Sequence, residues 1–152
     1  YYIMKDIYRI YLDSEELDSG IAPKPTFNIK IPKKRTDYTK YTLYVDDFCI
    51  SLAGETYRSI RLHLFNCIQY NSYNSSSKGS NNVIATIFNP NITETRTIDL
   101  SLNYQASTTP YIINCFPDTL QFELTDEAEA PLSEFAVNAF WTLNLRIEAE
   151  YD

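Results

Sequence analysis

The stretch Trp141-Thr142-Leu143-Asn144-Leu145-Arg146-Ile147-Glu148-Ala149-Glu150-Tyr151 decides the fold. Every odd position is apolar or aromatic and every even position is polar or charged. That period of two sets one face of an extended strand on a core and the other in water. Wound at roughly 3.6 residues per turn, the same apolar side chains would scatter round a cylinder. The chain therefore closes on a long half-buried β-strand, and the question of function starts from an all-β body.

The same signal recurs upstream. Tyr8, Ile10 and Leu12 alternate with Ile7, Arg9 and Tyr11, more weakly because both faces carry apolar groups. Phe27, Ile29 and Ile31 alternate with Asn28 and Lys30 between prolines at 23, 25 and 32. Tyr41, Leu43 and Val45 alternate with Thr42, Tyr44 and Asp46, and Ile60, Leu62 and Leu64 with Arg61 and His63. Val83 to Phe88 is a mostly apolar run ended by Asn89-Pro90. Ile98, Leu100 and Leu102 alternate with Asp99 and Ser101, and Leu120, Phe122 and Leu124 with Gln121 and Glu123. With the closing strand this makes about eight strands separated by Pro, Asn, Asp or Ser clusters, the pattern of a β-sandwich or barrel. The one helical candidate, Ala128 to Val137, is short and contains Pro131. Residues 1–152 form one domain, long enough to bury a core without disulfides or metals. Asn71 to Asn82 is a polar, low-complexity stretch expected to be a mobile surface connection.

Thirteen Tyr and eight Phe against three Gly suit pleated, half-buried surfaces. The net charge of −7 argues against a nucleic-acid module. Cys49, Cys67 and Cys115 are odd in number and lack a CxxC spacing, so they are expected to be buried, reduced thiols in a chain assembled in a reducing compartment. Asn74-Ser75-Ser76 and Asn91-Ile92-Thr93 match the glycosylation tripeptide, a match common by chance. No apolar run approaches a membrane span and no signal-peptide pattern is present, so no direct membrane insertion is expected.

The sequence offers little chemistry. His63 is the only histidine, and its place in the alternation points it away from Ile60, Leu62 and Leu64, toward solvent or a partner. No metal-ligand spacing, nucleophile elbow or phosphate-cradling glycine loop accompanies it. Asp46-Asp47 and Asp126-Glu127-Ala128-Glu129 do not resemble a calcium loop. The expectation is a protein that is not an enzyme, with no catalytic residues, cofactor or metal.

Charge is distributed unevenly instead. Lys24, Lys30, Lys33, Lys34, Arg35 and Lys40 crowd one segment with only Asp37 among them, while Glu148, Glu150 and Asp152 belong to an acidic end. One reading is a solvated face. The other is complementarity, with Lys30, Lys33, Lys34 and Arg35 of one copy meeting Glu148 and Glu150 of a neighbour. On that reading, changing Lys33, Lys34 and Arg35 to Glu disrupts assembly without unfolding the monomer. A carbohydrate-binding sandwich is the alternative function, with Tyr44, Tyr57, Tyr70 and Tyr73 stacking on sugar rings.

Three passages together resemble a known family. They are Ile7 to Gly20 followed by Phe27-Asn28-Ile29, then Tyr41 to Ile50, then Leu120 to Asp126 with Trp141 to Glu148. Their order is similar to the single jelly-roll minor capsid proteins of large nucleocytoplasmic icosahedral DNA viruses, such as those infecting algae. Where such proteins often carry a basic pair after the first Ser, this chain has Glu15-Glu16. The resemblance implies a single jelly-roll β-sandwich of about eight antiparallel strands, acting in the virion as a penton or cementing protein. Its partners would be major capsid protein, other minor capsid proteins and further copies of itself, with assembly in the host cytoplasm.

Overall fold

A computed structural model of the chain describes residues 3–52, 59–66, 72–74, 79–88, 100–104, 110–126, 128, 132 and 140–152. The first sheet contains β1 (Met4–Asp13), β4 (Lys40–Leu52), β9 (Leu100–Tyr104), β10 (Tyr111–Ile113) and β12 (Phe140–Tyr151), in the order β1-β12-β4-β10 with β9 also on β4. The second has the order β2-β3-β11-β5-β8, built from β2 (Ser19–Ile21), β3 (Lys24–Asn28), β5 (Ser59–Leu64), β8 (Val83–Phe88) and β11 (Thr119–Thr125). β6 (Ser72–Asn74) and β7 (Gly79–Asn81) form a separate antiparallel pair.

Setting aside the short β2 and β10, the principal strands interleave between the sheets as β1-β12-β4-β9 and β3-β11-β5-β8. First and last strands are neighbours in one sheet, second and penultimate in the other, and every pairing is antiparallel. This is a single jelly-roll sandwich; the alternation points to a sandwich or barrel, and the jelly-roll order is the one the resemblance implies.

β12 is the axis of the first sheet. Trp141, Leu143, Leu145, Ile147 and Ala149 are buried, and the even residues between them are half-buried on the outer face. β1 resolves its ambiguous pattern in favour of Tyr8, Ile10 and Leu12, which enter the core and leave Ile7 and Tyr11 outside. In β4 the alternation changes phase. Leu145 faces Val45 but Asn144 faces Asp47, so Asp46 is the extra residue of a β-bulge. Leu43 and Val45 before it, and Phe48 and Ile50 after it, consequently all point inward.

Trp141 occupies the middle of the core, fully buried, with Phe27, Phe48 and Phe122 edge-on to its ring at centroid distances of 6.1, 5.9 and 5.9 Å. These rings come from both sheets, so one cluster holds the sandwich closed. Its indole N–H donates to the Ala22 carbonyl (2.8 Å) in the turn between β2 and β3. Its backbone N–H donates to the buried Ser14 hydroxyl (3.0 Å) in the 3₁₀ turn Ser14–Glu16. The β2–β3 hairpin also needs Gly20, whose φ is +87° and whose added Cβ would collide with the Lys24 carbonyl oxygen.

Several expectations change. The 71–82 stretch is not wholly an irregular connection, because β6 and β7 pair within it. β3 stops at Asn28, and Ile29 and Ile31 pack against the core from beyond the strand. Cys49 is half-buried and Cys115 is exposed, both free, so the expected burial fails for Cys115. It sits in the bend after β10, where Ile113 and Phe116 are the inward residues. Cys67, Ile98, Ser75 and Ser76 of the first glycosylation tripeptide, the whole of the second, and most of the 128–137 helical candidate lie outside the described residues.

Replacing Trp141 with Ala is expected to cost about 3–5 kcal/mol of stability, by loss of packing in a closed site. Urea unfolding checks this, and a loss below about 1 kcal/mol would show the cluster to be peripheral.

Candidate functional site

The outer face of the first sheet is a closed electrostatic ladder. Arg9 and Arg146 oppose each other in register, and Asp46 at the bulge reaches both, at 3.3 and 3.5 Å. Glu148 receives Lys5 at 3.1 Å and Arg146 at 3.6 Å. The Arg146 guanidinium also lies over the Tyr44 ring, 4.4 Å from its centroid. The hydrogen bond to Glu148 raises the Lys5 pKa. The Glu148 side chain is only 13% exposed, so its charge is spent within its own chain.

The basic segment meets the acidic end inside one copy. Residues 29–39 run as a strap along the sandwich, and Thr39 N–H donates to the Glu150 carbonyl at 2.8 Å. Arg35 makes a bidentate pair with Asp37 (2.8 and 2.9 Å) and lies over the Tyr151 ring at 3.9 Å. This pairing raises the Arg35 pKa and lowers that of Asp37. The Lys33 ammonium is 5.6 Å from the centroid of Phe116. Lys30 and Lys34 are exposed, with no ion pair among the described residues. Reversing Lys33 and Arg35 would therefore disturb the monomer itself, and Lys30 and Lys34 are the members of the set free to meet a neighbour.

A hydroxyl relay fixes the strap to β1. Lys34 N–H donates to Tyr8 Oη (2.9 Å), the Tyr8 and Tyr38 hydroxyls share a short hydrogen bond, and Tyr38 donates to Asp6 Oδ2 (2.6 Å). Rings of Tyr38, Tyr41, Phe116 and Tyr151 pack edge-on around it. Burial, then the hydrogen bonds to Asp6 and Tyr8, raise the Tyr38 pKa well above its ordinary 10.0. Sequence gave no sign of this relay, because its members lie far apart in the chain.

Between the strap and β1 runs a groove of about 320 Å³. Ile10, Leu12, Phe27, Ile29 and Ile31 form its apolar side, with Arg9, Tyr11, Glu16, Asp18 and Lys30 at its edges. Ile3, Met4, Ile7 and Tyr11, all from β1 or the residue before it, are each at least 47% exposed.

His63 does not face solvent as its alternation suggested; it is 6% exposed. A bulge between Leu62 and His63, in the pairing with β8, brings Asn82 beside it. Nδ1 bonds Asn82 Oδ1 and Nε2 bonds Thr125 Oγ1, each at 2.8 Å, while Phe65 stacks on the ring. Hydroxyl, imidazole and amide stand in the order that acyl-transfer enzymes use. Thr125 is 3% exposed, however, and a buried hydroxyl offers no approach to a reacting carbonyl, so the row serves to pair buried polar groups.

Among the described residues no cluster of His, Cys, Asp and Glu is arranged to hold a metal ion. No helix there is long and apolar enough to cross a membrane. Of the tyrosines considered for sugar stacking, Tyr44 is covered by Arg146, and Tyr57, Tyr70 and the side chain of Tyr73 lie outside the described residues. The chain matches no protein-family model and none of the curated proteins compared with it.

Because the folded state favours neutral Tyr38, its contribution is complete below pH 10 and is lost as pH rises above that value, where the unfolded chain releases the proton first. Tyr38→Phe is expected to lower stability by about 1 kcal/mol near pH 7. It should also flatten the fall in stability from about pH 9 to about pH 11. Urea midpoints across that range read both effects, and identical pH slopes for the two proteins would show the relay to be unimportant.

Proposed function

We propose that the chain is a structural protein of a virus shell: a single jelly-roll minor capsid component of a large icosahedral DNA virus. It works by contact rather than by chemistry, against major capsid protein, other minor capsid proteins and copies of itself. The observation that carries this reading is the jelly-roll strand order together with a ten-residue edge strand, β1, on which Met4, Ile7 and Tyr11 are exposed. Jelly rolls also serve lectins and cupins, so the fold alone does not choose among them. Exposed apolar residues along a strand edge suit a protein partner. The free thiols of Cys49 and Cys115 agree with assembly in a reducing cytoplasm.

The test is the composition of purified particles. Virions from infected cells, banded on a density gradient and probed with antibody to this chain, are expected to carry it at fixed stoichiometry to the coat. A chain abundant in the infected-cell lysate but absent from the particle band would overturn the proposal.

A further inference from the structure

Between β3 and β4, the strap of residues 29–39 belongs to neither sheet. None of its residues is fully buried: Ile29, Ile31, Arg35 and Tyr38 are half-buried and the others exposed. Among the described residues, its amides meet main-chain acceptors only at its two ends. Ile29 donates there to the Asp118 carbonyl (2.7 Å) and Thr39 to that of Glu150 (2.8 Å). Between these anchors the strap is held through side chains: the Lys34 amide on Tyr8 Oη, Tyr38 on Tyr8 and Asp6, Lys33 against Phe116, and Arg35 over Tyr151. A segment with so little burial and no ladder opens at a small fraction of the free energy of global unfolding.

The same segment carries three consecutive cations, Lys33-Lys34-Arg35. We infer that the strap opens as a unit while the sandwich stays closed, and that the open strap is a cleavage site for a serine protease of trypsin-like specificity. Such a protease draws one basic side chain into a pocket and holds several neighbouring residues extended in its cleft. The closed strap resists this, because Arg35 is committed to Asp37 and Tyr151, and the Lys34 amide is tied down on Tyr8. Tyr38 is the latch, since its hydroxyl joins both Tyr8 and Asp6. Hydrolysis breaks the peptide bond after Lys33, Lys34 or Arg35 and adds water across it, leaving a carboxylate on one side and an amine on the other.

The nicked chain stays assembled. Its first fragment keeps the ten-residue register of β1 with β12 and the pairing of β3 with β11. It also keeps Tyr8, Ile10, Leu12 and Phe27 in the core, and the bonds from Trp141 to Ser14 and Ala22. Cleavage thus frees the strap, and with it the groove wall formed by Ile29 and Ile31, without dismantling the two sheets. This inference stands on the strap alone and is independent of the capsid reading.

Limited digestion of the purified chain with dilute trypsin tests it, with cuts located by intact mass. At low protease the rate of cutting tracks the open population. Cuts within residues 33–35 are expected in native buffer, at a rate that hardly changes with urea below the unfolding transition, because a local opening exposes little surface. Tyr38→Phe should speed those cuts about fivefold and keep the same shallow urea dependence. The cut chain should elute from gel filtration with the intact one, keep its β circular dichroism, and separate into two fragments only in denaturant. A strap left uncut until the sandwich unfolds, with cutting as steep in urea as the loss of circular dichroism, would overturn the inference. So would equal cutting rates for Tyr38→Phe and the wild type, or fragments that part in native buffer.

Discussion

The clasp around Trp141 governs most of what the surface can do. Its ring is enclosed by phenylalanines from both sheets, and its two N–H groups reach out of the core to fix two surface corners. The indole holds the β2–β3 turn through Ala22, and the backbone amide holds the Ser14 turn that ends β1. An indole buried without an acceptor would lose the benefit of its burial, so the Ala22 carbonyl is a condition of the fold. Together these bonds set where β1 stops, where its acidic end lies, and where the chain enters the strap that forms the far wall of the groove.

Electrostatics then separates charges that hold the monomer from charges left over. Glu148, Arg146, Asp46, Arg9 and Lys5 close on one another over the outer face. Exposed pairs of this kind contribute little stability individually, but they consume donors and acceptors that would otherwise invite a partner. Lys33 and Arg35 are likewise engaged with aromatic rings of their own chain. Ile3, Met4, Ile7 and Tyr11, at and beside β1, stay exposed, and Lys30 lines the same groove as Glu16 and Asp18.

How much was legible in the sequence follows from which forces are local. The strict alternation of Trp141 to Tyr151 reports burial residue by residue, and the structure follows it. β1 was ambiguous because Ile7 and Tyr11 are as apolar as the residues they alternate with; only the position of the core decides that Tyr8, Ile10 and Leu12 go in. The phase change in β4 depends on Asp46 being looped out against β12, a pairing that no local pattern encodes. His63 showed its side of the strand correctly but not its burial, because Asn82 and Thr125 reach it from neighbouring strands distant in sequence. The charge reading identified two complementary segments; within the chain Thr39 bonds the Glu150 carbonyl and Arg35 lies over Tyr151, while Glu148 is paired with Lys5 and Arg146, contacts that no local pattern encodes.

Hydrogen exchange at the Trp141 indole tests the central claim most directly, since the chain has one tryptophan and therefore one indole resonance to follow by NMR. The account expects that N–H, bonded to Ala22 in a closed core, to exchange only through opening of the whole sandwich, as slowly as the most protected β12 amides. Exchange at the rate of a solvent-exposed indole, with the β12 amides still protected, would contradict the claim that this side chain clasps the two sheets and the corners of the fold.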